Sequence, residues 1–320
     1  QEIDGKTAKH IIYMPLATHG TSVYVPDACT DAVEFMQTVI PTDSTLKADN
    51  HIFPLKTLGC LMGFAGFFVF VTGVALLLVQ YEPFKGVSAD RDATMRLAAN
   101  DKKGKIWLTG CLLVNTVFPL LSALVLFHFK VDKVVDDFFM QGMPLFYGVW
   151  GTVNAIFVIL TTIIWYNCYA KKNGISLDSI DMRISAAQIG KTIATALVVT
   201  GMAFVLLFSA KFFFNTDFRF LYWAVRPFNA RRMLEAMKLL PFFTVAYVTA
   251  SIFINCLNFN TSFGKTERKN ICLLAFLNIL PPLLLAVAGY GYFFITGVNG
   301  FYGTNNQISD WMVAPLVPML

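Results

Sequence analysis

His19 has the strongest case for chemistry in this sequence. It lies between Thr18 and Gly20 in the stretch "YMPLATHGTSVYVPDACTDAVEFM". Imidazole titrates near neutral pH, so it can take a proton from a nucleophile and return it to a leaving group. The chain offers no partner in a G-x-S-x-G motif, because "GTSVY" and "GVSAD" both lack the second glycine. His19 therefore has no nucleophile of this kind to activate within the sequence.

Metal and cofactor chemistry is not indicated. The four histidines have no partner at the C-x-x-C or H-x-x-x-H spacing that zinc sites use. Five of the six cysteines lie in or beside apolar segments, where cysteine usually acts as a small hydrophobe. The "GKT" at 190–192 resembles the end of a phosphate-binding loop, but Ser185 stands where that motif needs glycine. We expect neither a metal nor another cofactor.

Asp217, Arg219 and Arg226 form a second candidate group. They lie in "FFFNTDFRFLYWAVRPFNARRMLEAMK", residues 212–238, which is rich in aromatic and basic residues. Arg219 and Arg226 are seven residues apart and would share one face of a helix. The composition is typical of an amphipathic helix lying in the membrane interface. Two interpretations stay open: the segment anchors and packs, or the three residues form an ionic cluster that faces a lipid headgroup or the soluble domain.

The elements that would position these residues are mostly membrane helices. The chain is 56% hydrophobic and 14% charged, with a mean hydropathy of +0.59. Its charges are clustered, leaving long charge-free segments, and about 20 apolar residues in a helix cross a bilayer. The sequence therefore predicts a polytopic protein that uses the lipid bilayer as its solvent. Six helices are predicted near 57–79, 106–128, 144–169, 187–210, 237–258 and 271–296, and a seventh can begin near Trp311.

Polar residues within the predicted spans favour packing over transport. The spans contain no carboxylate, and their one lysine, Lys191, lies near a helix start, where its charge can reach water. Ion-coupled transporters usually keep an ionisable group near the middle of the bilayer. Amides and hydroxyls at mid-span, such as Asn115, Asn154 and Thr161, are expected to hydrogen-bond neighbouring helices.

The basic residues of the loops predict which way the chain faces. The first, third and fifth loops carry six, four and three Lys and Arg residues, and the second carries two. By the positive-inside rule, residues 1–50 are extracytoplasmic at the cell membrane. The fourth loop breaks this pattern with six basic residues. Because membrane topology explains the charge of the loops, we do not expect nucleic acid as a partner.

The amino-terminal stretch has the pattern of the end of a soluble domain. Residues 9–16, "KHIIYMPL", are predicted to form a buried strand. Residues 27–39 are predicted to form a helix that Asp27 caps, with apolar residues repeating along one face. Strand, histidine-bearing loop and helix follow one another in the order found at the close of an α/β-hydrolase, where the histidine comes last in the catalytic triad.

Almost the whole chain also resembles a known family. The matching stretches are "DGKTAKHIIYMPLATHG" with "VPDACTDAVEFM", then "TDFRFLYWAVRPF", then "LLPFFTVAYVTASIFINCLNF". They resemble the carboxyl-terminal part of bacterial proteins in which an α/β-hydrolase domain, similar to dienelactone-hydrolase-type esterases, is fused to a multi-span membrane region. The resemblance implies an extracytoplasmic, membrane-tethered hydrolase with His19 as its general base.

Together these features predict three regions: residues 1–41 as the carboxyl-terminal remnant of an α/β-hydrolase domain, 42–56 as a linker and 57–320 as the transmembrane domain. The chain is expected to be a fragment, inactive alone, with the serine nucleophile and the acidic triad member upstream. The parent protein would cleave a small-molecule or lipid ester. The alternative is a transporter or permease subunit with a small external domain.

Overall fold

The computed structural model describes residues 2–3, 6–7, 12–15, 24–40, 45–87, 102–180, 182–220, 223–258 and 267–296. Within these ranges the chain forms two short hairpins and seven α-helices. The strands are β1 (Glu2–Ile3), β2 (Lys6–Thr7), β3 (Phe218–Phe220) and β4 (Trp223–Val225). The helices are α1 (Pro26–Val39), α2 (Phe53–Leu78), α3 (Lys102–His128), α4 (Gly142–Trp165), α5 (Ala186–Phe214), α6 (Ala230–Ile252) and α7 (Glu267–Thr296).

Five of these helices are long and apolar enough to cross a membrane. They are α2, α3, α4 with its continuation to Asn173, α5 and α6. They coincide with the first five predicted spans, so the prediction of a multi-pass helical protein is confirmed at this level. The sixth predicted span is also helical, as α7, which contains the shorter apolar stretch Ile271–Pro281. The predicted helix near Trp311 lies outside the described residues.

Several helices extend beyond the charge-free segments that predicted them. Helix α3 begins at Lys102 rather than at 106, and α6 begins at Ala230 rather than at 237. Lysine and arginine permit this because their aliphatic stems can lie along apolar surface while the charge reaches water. Helices α4 and α6 each continue into a π-helical turn, at Tyr166–Ala170 and Phe253–Asn258.

The chain divides into two compact units, one of which comprises Gln1–Val87 and Gly190–Pro227. In this unit the Lys191 Nζ, near the start of α5, donates a hydrogen bond of 3.0 Å to the backbone oxygen of Lys85, beyond the end of α2. At their other ends, the first turns of α2 and the last turn of α5 line one cavity. The strand β3, which follows α5, packs near the middle of α2, where the Phe218 ring lies 6.0 Å from the Phe67 ring between centroids. Helices α2 and α5 therefore run antiparallel.

The other unit comprises Ser88–Ile189 and Phe228–Leu320. Its core is a cluster of buried aromatic and small side chains from α3 and α4, against which Phe243 of α6 packs. Helices α4 and α6 pack closely at Gly151 of α4, which has no side chain. A Cβ added there would lie only 2.9 Å from the Cβ of Ala246 in α6. Small residues at such positions allow membrane helices to pack closely.

The amino-terminal region follows the prediction only in part. Residues 12–15, the described part of the predicted strand 9–16, have no regular secondary structure, and Ile12 and Met14 are 86% and 90% exposed. A strand needs neighbours for its backbone N–H and C=O groups. The described part of the chain provides none here, because β1 pairs only with β2. No α/β-hydrolase sheet is therefore present among the described residues.

The predicted helix of this region is confirmed as α1, but its cap differs. Val25 is the N-cap residue and its side chain makes no capping hydrogen bond. Asp27, predicted as the cap, lies in the first turn instead, where its carboxylate interacts favourably with the helix dipole. Helix α2 begins at Phe53, so the last residues of the predicted linker are helical.

Candidate functional site

The proposed catalytic histidine has no described environment. His19 and residues 16–23 around it lie outside the described residues. The helix that follows them is described, and it exposes its apolar side. None of the residues of α1 is buried, and Val33, Met36 and Val39 are 38%, 52% and 54% exposed. A hydrogen bond of 3.2 Å between Thr30 Oγ1 and His51 Nε2 joins α1 to the segment just before α2.

The segment predicted as an interfacial helix contains a β-hairpin. Strands β3 and β4 are antiparallel, with Phe218 opposite Val225, Arg219 opposite Ala224 and Phe220 opposite Trp223. The prediction that Arg219 and Arg226 share one face of a helix is therefore wrong. Aromatic residues and valine favour strands, and in this hairpin they occupy both strands. The part of 212–238 that is helical belongs to the ends of α5 and α6.

The hairpin still brings the three predicted residues together. Asp217 and Arg219 are two residues apart along one strand direction and so lie on the same face. Continuing the observed register by one residue sets Asp217 opposite Arg226. The Asp217 carboxylate accepts two hydrogen bonds from Arg219, from Nε at 2.7 Å and from an Nη at 2.6 Å. Asp217 and Arg219 therefore form an ion pair on the hairpin. The predicted cluster of all three residues, facing a lipid headgroup or the soluble domain, stays a prediction.

A cavity of about 380 Å³ lies beside this ion pair, at one end of α2 and α5. Its walls are the first two turns of α2, the last turn of α5 and the link from Asn215 to Arg219. Tyr24, which precedes α1, also lines it, and the Arg219 guanidinium hydrogen-bonds the Tyr24 hydroxyl. We call this space the hairpin cavity.

The hairpin cavity is electropositive. Its described lining includes Lys56, Lys211 and Arg219 and a single carboxylate, Asp217. Hydrogen bonding to Arg219 holds the pKa of the Asp217 carboxyl below its ordinary value, Arg226 and Lys211 act in the same direction, and partial burial opposes them. Asp217 is therefore ionised at neutral pH and paired with Arg219. The two lysines leave a positive excess.

Local backbone geometry sets Lys211 at the edge of this space. Helix α5 ends at Phe214, and Asn215 takes a left-handed conformation with φ 45°. Asparagine tolerates this region better than most residues because its short amide can hydrogen-bond locally. Here the Asn215 Oδ1 accepts a hydrogen bond of 2.6 Å from the Lys211 Nζ. The chain thereby turns from α5 into the strand that carries Arg219.

Polar side chains of the spanning helices pair with each other, as predicted. The Asn115 Nδ2 of α3 donates to Thr161 Oγ1 of α4 at 3.1 Å. Ser122 Oγ of α3 donates to Asn154 Oδ1 of α4 at 3.0 Å, and Trp150 Nε1 donates to the backbone oxygen of Pro119 at the same distance. These groups hold α3 against α4.

Sequence reasoning missed a buried carboxylate. Glu235 lies inside α6, which begins earlier than predicted, and it is 7% exposed. It forms an ion pair of 2.9 Å with Lys238 and accepts a hydrogen bond from the Met140 N–H. Lys238 also donates to the backbone oxygen of Phe138. The spacing of Glu235 and Lys238, three residues apart on a helix, was visible in the sequence. In the structure the pair hydrogen-bonds the backbone of the loop before α4 and so holds this loop against α6.

No metal centre is evident in the described ranges, where no three His, Cys, Asp or Glu side chains lie close enough to hold an ion. None of the six cysteines forms a disulfide. Tyr24, Lys56 and Lys211 were also missed by the sequence reasoning. The sequence does contain a signal for the two lysines. Lys56 directly precedes the first predicted span and Lys211 directly follows the fourth. Because four spans separate them, both lysines are predicted to lie on the same side of the membrane.

Comparisons with known proteins identify no relative. A scan against protein-family models, a search of curated proteins and a search of solved structures each find no match. The resemblance to membrane-tethered hydrolases therefore supports a proposal of function only.

Proposed function

We propose that this chain is the membrane-anchored part of an extracytoplasmic serine hydrolase that cleaves an ester or similar acyl bond. Residues 1–41 would complete the α/β-hydrolase domain, and His19 would be its general base. The nucleophile would come from the enzyme domain outside these 320 residues, because the sequence contains no G-x-S-x-G motif.

The observation that carries this proposal is the uncovered apolar face of α1. An amphipathic helix is stable when its apolar stripe packs against another element. In α1 that stripe includes Val33, Met36 and Val39, all exposed. The last helix of an α/β-hydrolase packs on the central sheet of its domain, which would cover such a face. The helix also follows the segment of His19 directly, as the resemblance requires.

The pairing of polar groups between α3 and α4 supports an anchoring role for the spanning helices. A transport pathway needs polar side chains that are free to contact the transported species. Asn115, Thr161, Ser122 and Asn154 instead use their hydrogen-bonding groups on one another or on the backbone of their own helix. We therefore favour an anchor over a transporter or permease subunit.

The test uses the complete protein with its enzyme domain and the hydrolysis of p-nitrophenyl butyrate in detergent micelles. Replacing a general base removes proton transfer in the transition state, so H19A is expected to lower kcat/KM by about 10²–10⁴-fold. The control is H128A, which removes a histidine at the end of α3 and is expected to leave turnover unchanged. Wild-type turnover by H19A, or an enzyme domain without a serine nucleophile, would refute the proposal.

A further inference from the structure

The hairpin cavity lies at the ends of two helices that are long and apolar enough to cross a membrane. Lys56 is in the first turn of α2 and Lys211 in the last turn of α5, and both helices have transmembrane length. Helices of this length end where the hydrocarbon core meets the headgroups. Beside the cavity, Phe212, Phe213 and Phe214 are 83%, 72% and 78% exposed. Exposed phenylalanine side chains at a helix end give an apolar surface that lipid at the membrane interface can cover.

The charges of the cavity select an anion. Arg219 satisfies Asp217 through two short hydrogen bonds, so this pair is close to neutral. Lys56 makes no ion pair with any carboxylate in the described part of the chain. Lys211 donates to a neutral amide oxygen. Two ammonium groups with unneutralised charge thus line a space of about 380 Å³.

We propose that the hairpin cavity binds a phosphate-type oxyanion, supplied by the headgroup of an anionic phospholipid, with Lys56 and Lys211 as its cationic ligands. Lysine binds phosphate oxygens as a point charge with several donor hydrogens. The Thr57 side chain and the Tyr24 hydroxyl line the same space and add polar surface. The exposed phenylalanines beside it lie where the acyl chains would run. This inference does not depend on the proposed hydrolase.

The test is native mass spectrometry of the 320-residue chain in dodecyl maltoside, titrated with dioctanoyl phosphatidylglycerol or dioctanoyl phosphatidylcholine. The anionic lipid is expected to bind about tenfold more tightly or better, and K56Q/K211Q is expected to remove that preference, because charge-assisted contacts are the strong ones. The matched control is K171Q/K172Q, which removes two exposed lysines after α4 and should bind as the wild type does.

A second arm identifies the source of the oxyanion. Inorganic phosphate at millimolar concentration is expected to displace phosphatidylglycerol from the wild type. If the wild type binds inorganic phosphate but binds phosphatidylglycerol and phosphatidylcholine equally, the oxyanion site stands. The proposal that a lipid supplies the oxyanion is then overturned. Wild-type affinity in K56Q/K211Q, or an equal loss in K171Q/K172Q, would overturn the site itself. K56Q alone replaces the double variant if that variant fails to fold, because Lys56 has no described ion-pair partner to lose.

Discussion

Gly63→Ala should release the β3–β4 hairpin from α2. Gly63 lies in α2 beneath the Phe218 ring, and a Cβ at this position would lie 2.8 Å from Phe218 Cδ1 and 3.3 Å from Cε1. Ordinary van der Waals contact between carbon atoms begins at about 3.5 Å. The Phe218 ring therefore has to move away from Gly63 by several tenths of an ångström, which weakens the contact that holds β3 on α2.

The free-energy cost of Gly63→Ala at this contact can be taken from substitutions that overpack protein cores. Inserting a methyl group into a well-packed contact costs about 1–3 kcal/mol. Alanine also raises helix propensity relative to glycine by about 1 kcal/mol, which partly hides the clash in a global measurement. Gly66→Ala provides the control in the same helix, because a Cβ there meets no atom within 4 Å. The difference between the two variants isolates the contact with Phe218.

Hydrogen exchange followed by mass spectrometry measures this difference at the hairpin. If the hairpin opens locally, a loss of about 1–3 kcal/mol raises the exchange of the amides of 218–225 by roughly 5- to 150-fold. Gly66→Ala should leave their exchange unchanged. Equal exchange in the two variants would show that Phe218 does not hold the hairpin on α2, and the geometry of the hairpin cavity would then lose its basis.

Two further variants test the ion pair and the helix pairing. Asp217→Asn should weaken the hairpin by up to about 1 kcal/mol at neutral pH, a small value because Arg219 is partly exposed. Since the folded pKa of Asp217 lies below its ordinary value, this stabilisation is present above the unfolded pKa and disappears as pH falls through the folded pKa. Hydrogen exchange of 218–225 in the variant and the wild type should therefore converge in acid, and a constant difference would contradict the ion pair. Asn154→Leu should lower the free energy of unfolding in mixed micelles by about 0.5–1.5 kcal/mol, because it removes the acceptor of the Ser122 hydrogen bond. The control is Ile156→Ala, on the exposed side of α4. A loss of stability in the control that equals or exceeds the loss in Asn154→Leu would refute the pairing.

The hairpin in the fourth loop shows why a seven-residue spacing does not by itself define a helix. Arg219 and Arg226 are separated by seven residues, which fits two turns of a helix. The same separation also fits a hairpin, because a register that pairs Phe218 with Val225 sets Asp217 opposite Arg226. The sequence contains evidence for the strands in its aromatic residues and valine, but strand preference depends on context. The space for the Phe218 ring beside Gly63 is visible only in the tertiary structure.

A similar limit applies to the amino-terminal stretch. Residues 27–39 were predicted as a helix because their apolar residues repeat on one face, and α1 confirms this, since a helix satisfies most of its backbone hydrogen bonds internally. The apolar run 9–16 was predicted as a strand by composition. A strand depends on neighbours, so the same composition leaves residues 12–15 without regular structure in the described chain.

The sequence by itself determined that the chain is a multi-pass helical protein and gave the approximate limits of the five described helices that are long and apolar enough to cross a membrane. A long apolar segment without charges has one favourable form in a bilayer, because a helix satisfies every backbone group internally. Tertiary structure alone decided how distant residues meet. Lys56 and Lys211 are separated by four spans, and only the antiparallel arrangement of α2 and α5, with the hairpin packed on α2, places both around one cavity. Local preference fixes each helix, whereas long-range packing selects which of their ends lie together.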